Sequence, residues 1–308
     1  MLVTGATGLL GRAVVAALTA TGAYEVVGTA FSRARDGVIR LDLRDGGESQ
    51  RAVVALKPAV VINTAAERRP DVVEADDAGS EALNVESVWH LGRAAAYVDA
   101  AFIHISTDYI FDGTASPYAE DAPTAPLNTY GRQKVRGEHA ALAAHPAPFI
   151  LRVPVLFGPT ADPAESAITV FVAAVRDAAA PRALDDWQVR VPTYTPDVAR
   201  TLTNVVAALL ARGSPSAAAS AAPRGLPPLA GIYHYSSADY TTRYAVARLM
   251  AEVLHLPADH LTPDAGPPPG APRPRDVRLN TAKLTATGLA APCTPLRDAL
   301  AAVLLPPS

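Results

Sequence analysis

Through the first half of the chain, short continuous apolar runs alternate with amphipathic stretches. The runs are Leu2-Val3 and residues 25–30, 38–41, 59–63, 102–105 and 149–152, and the helical patterns between them fall at 12–21, 49–56, 77–98 and 127–144. Unbroken apolar strands separated by helices predict a parallel sheet covered on both faces. The first strand is short, because Met1 leaves almost nothing ahead of a glycine turn; a truncated start or a frayed sheet edge would each account for it. After Gly158 the pattern changes to helical stretches at 166–180, 195–212 and 241–254 with short extended pieces at 189–191 and 231–235. The expected layout is an α/β, doubly wound parallel sheet over 1–158 and a smaller C-terminal α/β lobe over 159–308. The chain is expected to cross back toward the sheet around 186–198 and 231–236. Residues 213–230, rich in Ser, Ala, Pro and Gly, predict a mobile insertion loop, and 263–274 a proline-rich connector.

Chemistry enters at Gly5-Ala6-Thr7-Gly8-Leu9-Leu10-Gly11, a G-x-x-G-x-x-G turn between the first strand and a helix. Glycine lets the backbone approach a phosphate, and the helix then offers it free N–H groups and its positive dipole end. The strand–turn–helix context makes this a dinucleotide-binding signal of Rossmann type, against the plain alternative of a tight turn. Where an NAD-binding fold carries a carboxylate after the second strand, this chain reads Phe31-Ser32-Arg33-Ala34-Arg35. A hydroxyl and arginines there suit the extra 2′-phosphate of NADP; solvated surface arginines are the alternative. Asp42, after the third strand, could accept from an adenine amino group or simply close a turn.

Tyr130 and Lys134, four apart on a predicted helix, share one face. A lysine ammonium stabilises tyrosinate, so the Tyr130 phenol is expected to titrate below its usual value near 10 and pass a proton to a carbonyl. Thr107, in Ile105-Ser106-Thr107-Asp108-Tyr109, ends the fifth strand, where ligands of open parallel sheets bind. The adjacent Arg68-Arg69 could hold an anion or pair with Glu67, Asp71 or Glu74, and the sequence leaves both open. His104 and His234 read as core histidines, and neither His139 and His145, six apart, nor His255 and His260, five apart, have zinc spacing. Ser106 lacks a hydrolase elbow.

Composition narrows the classes. The 308 residues carry a formal charge of −3, which gives no electrostatic case for nucleic acid or an anionic membrane as partner. Cys293 is the single cysteine, so an internal disulfide is excluded and a reducing, cytoplasmic location is expected. No apolar run has the length of a membrane span.

The glycine turn, Ser106-Thr107-Asp108-Tyr109-Ile110-Phe111-Asp112-Gly113 and Tyr130-Gly131-Arg132-Gln133-Lys134, in this order, resemble the extended short-chain dehydrogenase/reductases, in their dTDP-4-dehydrorhamnose reductase-like branch. The resemblance implies Thr107, Tyr130 and Lys134 as the catalytic set, Lys134 also holding the nicotinamide ribose. It also implies Asn63-Thr64-Ala65-Ala66 as a wall along the cofactor, Asn84 as a structural asparagine and 152–158 as the segment lining the nicotinamide. More narrowly, residues 65–74, 165–170, 186–193 and Arg273-Pro274-Arg275 with Leu279, Lys283 and Leu284 resemble the regulatory (beta) subunits of methionine adenosyltransferase, which bind NADP. Position matching then implies cofactor contacts from Gly5, Thr7, Gly8, Leu9, Leu10, Gly11, Phe31, Ser32, Arg33, Asp42, Leu43, Thr64, Ala65, Ala66, Arg68, Tyr130, Lys134 and Leu156. The implied partner is a methionine adenosyltransferase catalytic subunit, in support of S-adenosylmethionine synthesis. The aromatic and basic tail that docks such subunits does not follow Leu300 here, so another route of contact would be needed. The reductase branch implies instead a nucleotide-linked 4-keto-6-deoxy sugar as substrate and NADPH as reductant.

Overall fold

The computed structural model describes residues 1–34, 37–160, 162–213 and 229–305. The six apolar runs become β1 (Leu2–Thr4), β2 (Val27–Ala30), β3 (Val38–Arg40), β4 (Val60–Asn63), β5 (Ala101–Thr107) and β6 (Phe149–Val153). The strands β7 (Leu156–Phe157), β8 (Arg182–Asp185) and β9 (Thr193–Tyr194) lie outside their sheet, whereas β10 (Gly231–His234) joins it. The sheet runs β10-β6-β5-β4-β1-β2-β3 with every pairing parallel. Chain order reverses between β1 and β4, and the crevice beyond the carboxyl ends of these two strands is where such sheets bind ligands. β11 (Leu261–Asp264) pairs with β8, and β9 with β7.

The helices are α1 (Leu9–Ala20), α2 (Gly46–Leu56), α3 (Pro70–Ala75), α4 (Asp77–Glu81), α5 (Ser87–Tyr97), α6 (Thr129–Ala144), α7 (Val172–Arg176), α8 (Thr195–Ala211), α9 (Arg243–Val253), α10 (Ala282–Ala286) and α11 (Leu296–Leu304). On one sheet face Leu10, Val14 and Leu18 of α1 and Val198, Leu202 and Val205 of α8 bury Val3, Ile62 and Ile103. On the other, Val53 of α2, Val88 and Leu91 of α5 and Ala141 of α6 cover Leu2, Val61, Phe102 and Ile150. A separate core of Phe157, Ile168, Val172, Val246, Met250, Leu296 and Leu300 holds the C-terminal lobe together. No helix among the described residues is long and apolar enough to cross a membrane.

Three predicted elements differ. The helix expected over 77–98 starts where predicted, capped by Asp76, which accepts from the Gly79 amide at 3.0 Å, but a π-helical turn, Ala82–Glu86, divides it into α4 and α5; α3, which ends just before Asp76 (φ −136°, ψ 73°), is an addition to the predicted elements. An Asp side chain that bonds a nearby amide gives the backbone an alternative to continuing the previous helix. The connector expected over 263–274 begins inside β11, where Pro263 is tolerated because β11 is an edge strand. Residues 189–191 form only isolated bridges, Val189 to Asp276 and Arg190 to Thr241. The predicted insertion loop lies outside the described residues over 214–228, as does Arg35.

Candidate functional site

The glycine turn folds tightly onto the end of β4. Gly5 has φ +67°, and a Cβ there would meet the backbone N and Cα of Ala65 at 2.9 Å. Gly8 caps α1 with no side-chain acceptor on its amides, and the first turn holds no acidic residue, so the helix end retains its capacity for an anion. Beside it opens a cleft of about 310 Å³. Gly5, Thr7 and Gly8 form one wall, Thr64, Ala65 and Ala66 another, and Phe31, Ser32, Arg33, Asp42 and Leu43 the far end.

At that far end Phe31 is 41% exposed, and the guanidiniums of Arg40 and Arg44 lie 5.1 and 4.8 Å from its ring centroid. Asp42 accepts from Arg44 Nε at 2.9 Å and Nη2 at 2.7 Å, and that bond holds its carboxyl below the usual range. Arg44 is a cleft residue that the sequence reading missed. Asp76, Gly79 and Ser80, at the start of α4, also line the cleft and carry no sequence signal for it.

The two readings of the arginine pair separate. Arg69 bonds Glu67 at 2.9 and 2.7 Å, a surface ion pair of small worth. Arg68 instead reaches the main-chain carbonyl of Glu165, and the Glu165 carboxylate accepts from Arg33 and, at 2.5 Å, from Arg12. The hydrogen bond from Arg12, with that from Thr160 and the charges of Arg12 and Arg33, pushes the Glu165 carboxyl down to about 2. Guanidiniums gathered on an oxyanion at an uncapped helix end form a donor set that fits a dinucleotide's phosphates.

Thr107 closes β5; Tyr130 and Lys134 stand one turn apart on α6, whose start Asn128 caps by accepting from the Gly131 amide at 2.8 Å. All three are buried, at 7, 8 and 2% exposure. Lys134 Nζ donates to the Ile105 carbonyl at 2.7 Å and lies 3.3 Å from His104 Nε2. Burial lowers its ammonium to about 8. The expected fall in the Tyr130 phenol's pKa is not what the structure gives. Burial raises it, a hydrogen bond with Thr107 only partly opposes this, and the neighbouring Asp108 carboxylate raises it further. Sharing a helix face with Lys134 does not offset this: Lys134 Nζ is directed to the Ile105 carbonyl and His104 rather than to the phenol.

Asp108 itself is desolvated and pushed up to about 7, while the hydroxyl of Thr107, 3.1 Å from Oδ1, acts in the opposite direction. A carboxyl raised from its unfolded value near 3.9 favours folding at low pH, and that contribution is lost as pH rises toward 7. Asp108→Asn is therefore expected to flatten the fall in stability between about pH 4 and pH 7, read by denaturant titrations across that window. A slope identical to that of the parent chain would refute this.

His104 is a fully buried core residue, as expected, held also by Asn63 Nδ2 at 3.3 Å. His234 is buried as well, with Nδ1 3.1 Å from the Asn280 carbonyl. Asn84 ties the chain after β4 to α6: Oδ1 accepts from the Glu67 amide at 3.0 Å and Nδ2 donates to Gln133 at 2.8 Å. Leu10 points into the core beneath α1 and Leu156 packs against the same core, while Leu9 opens α1. Arg152 does not face the crevice; it is buried in an ion pair with Glu138. On the lobe side the Tyr109 ring lies 6.2 Å from that of Tyr130, and its hydroxyl accepts from Gln188, which accepts from Arg190 at 2.6 Å.

Comparison with known proteins follows this geometry. The RmlD substrate binding domain family matches residues 1–306. The chain is 39% identical to the methionine adenosyltransferase 2 subunit beta of Xenopus tropicalis, over 94% of this chain and 82% of that protein. It is 35% identical to the dTDP-4-dehydrorhamnose reductase of Streptomyces griseus, over 94% of this chain and 88% of that one. The fold superposes on a Bacillus anthracis dTDP-4-dehydrorhamnose reductase solved with NADP, with a TM-score of 0.79 at 21% identity, covering 97% and 95% of the two chains.

Proposed function

Because the chain belongs to the RmlD substrate binding domain family, we propose that it binds NADP in this cleft and serves as a regulatory, beta-type subunit of a methionine adenosyltransferase. In this reading the adenine lies against Phe31 and Leu43 beside Asp42, and the 2′-phosphate meets Ser32 and Arg33. The diphosphate lies over the turn from Gly5 to Gly11, including Thr7, Gly8, Leu9 and Leu10, with Arg68 and the Thr64-Ala65-Ala66 wall alongside. Tyr130, Lys134 and Leu156 border the nicotinamide end. The observation that carries the reading is a contrast: the cleft beside the glycine turn is open, whereas Thr107, Tyr130 and Lys134 do not line it and are at most 8% exposed. A bound dinucleotide then works as a structural ligand. Co-purification with a methionine adenosyltransferase catalytic subunit and a shift in its kinetics are the expected results. Failure to form any complex at micromolar concentration overturns the proposal.

A second reading is favoured by the completeness of the Thr107, Tyr130 and Lys134 set, and by likeness to the Streptomyces griseus reductase. It is an NADPH-dependent reduction of a nucleotide-linked 4-keto-6-deoxy sugar. NADPH would supply the hydride; Tyr130 would give its proton to the carbonyl oxygen, with Thr107 donating a hydrogen bond to the same oxygen. For this reading, Tyr130→Phe should cost about 100-fold or more in NADPH oxidation with such a sugar. Equal rates in parent and variant remove Tyr130 from the chemistry.

A further inference from the structure

Glu165, joined to the cleft through the lining residue Arg33, is a feature that neither function uses. Its carboxylate accepts from Arg12 at 2.5 and 3.4 Å, from Arg33, and from the Thr160 hydroxyl at 2.5 Å, while Arg68 binds its main-chain carbonyl. The three arginines follow β1, β2 and β4, the strands whose ends frame the cleft. One residue therefore answers three guanidiniums from three separate crossovers, Arg12 and Arg33 through its carboxylate and Arg68 through its main-chain carbonyl. Its side chain is 19% exposed and that of Arg12 25%, so the attraction is screened less than in a surface pair. A phosphate carries more charge and more acceptor oxygens than a carboxylate and suits the guanidinium fork at least as well.

We propose that Glu165 is a specificity-determining residue of the cleft, an internal anion that holds Arg12 and Arg33 until the phosphates of a 2′-phosphorylated nucleotide replace it. The inference rests on the nucleotide-binding reading above. A ligand without the 2′-phosphate leaves Arg33 with Glu165 and pays no cost of displacing it there. Glu165 therefore weakens binding of the phosphorylated form most, and sets the ligand concentration at which the arginines change partner.

The test is a set of dissociation constants for NADP, NAD and 2′,5′-ADP, measured by calorimetry without turnover, for the parent chain and Glu165→Gln. Glu165→Ala serves as a second variant and thermal melts confirm folding. We expect Glu165→Gln to tighten NADP and 2′,5′-ADP about tenfold and NAD less than threefold, with most of that gain lost in an Arg33→Ala background. Unchanged or weaker NADP binding in both Glu165 variants, against measurable binding by the parent, overturns the proposal and leaves the nucleotide site standing. No binding of NADP by any of the proteins at millimolar concentration overturns the site and the proposal together.

Discussion

Replacing Arg152 with methionine should destabilise the fold by about 3–5 kcal/mol, the cost of stranding a buried charge. Arg152 on β6 meets Glu138 on α6 at 2.9 and 2.7 Å, with both side chains 3% exposed. The Ser106 hydroxyl donates to the same carboxylate at 2.5 Å, and Arg152 also donates to the Glu120 carbonyl at 3.0 Å. Desolvation cancels most of the pair's own attraction, so the intact pair adds little net stability. Its removal is asymmetric: without the guanidinium, Glu138 keeps a single hydroxyl donor in a site closed to water. Urea unfolding of Arg152→Met measures the loss, and the double variant Arg152→Met/Glu138→Leu should recover much of it. A loss under about 1 kcal/mol would mean that water reaches Glu138 and that burial is not the controlling effect.

Gly11→Ala is the second large effect, and two physical terms oppose each other there. Alanine within a helix is favoured over glycine by about 1 kcal/mol. Against this, a Cβ at Gly11 would lie 2.1 Å from the Gly5 carbonyl oxygen, 2.8 Å from its carbon and 2.9 Å from Ala6 Cα. These are all backbone atoms and cannot swing aside, so overpacking of about 3 kcal/mol wins and the net loss is about 2 kcal/mol. Relief would come from opening the turn, which moves the helix end away from the proposed phosphate position. NADP affinity should therefore fall more than about 100-fold, read by calorimetry alongside the melting temperature. Undiminished affinity would mean that the turn does not hold the nucleotide.

What the chain announced about itself was whatever has a local signature. Apolar runs gave the strands and their parallel burial, and the glycine turn gave the crevice, so Gly5, Thr7, Gly8, Phe31, Ser32, Arg33, Asp42, Leu43, Thr64, Ala65 and Ala66 all fall on the cleft wall. Glu165 carries no such mark: it stands 132 residues from Arg33, and their meeting depends on the lobe closing over the sheet. The spacing of Tyr130 and Lys134 set their shared helix face but not their surroundings, and burial, which spacing does not report, governs both titrations. The π-helical turn at Ala82–Glu86 had no local cue, because the apolar periodicity runs on through it to Leu91. Arg44 acquires its place only by reaching over Phe31 from the loop after β3.

The packing of α8 on α1 decides how the molecule can be divided. The helix that follows the glycine turn, α1, buries Leu10, Val14 and Leu18 against Val198, Leu202, Val205 and Val206, residues supplied well beyond Gly158. A fragment cut at that glycine would leave an oily flank of α1 bare to solvent and strip β6 of its neighbour β10. The cleft-bearing half is thus not a portable module of this polypeptide: its leading helix and its outer strand are completed by residues of the second half.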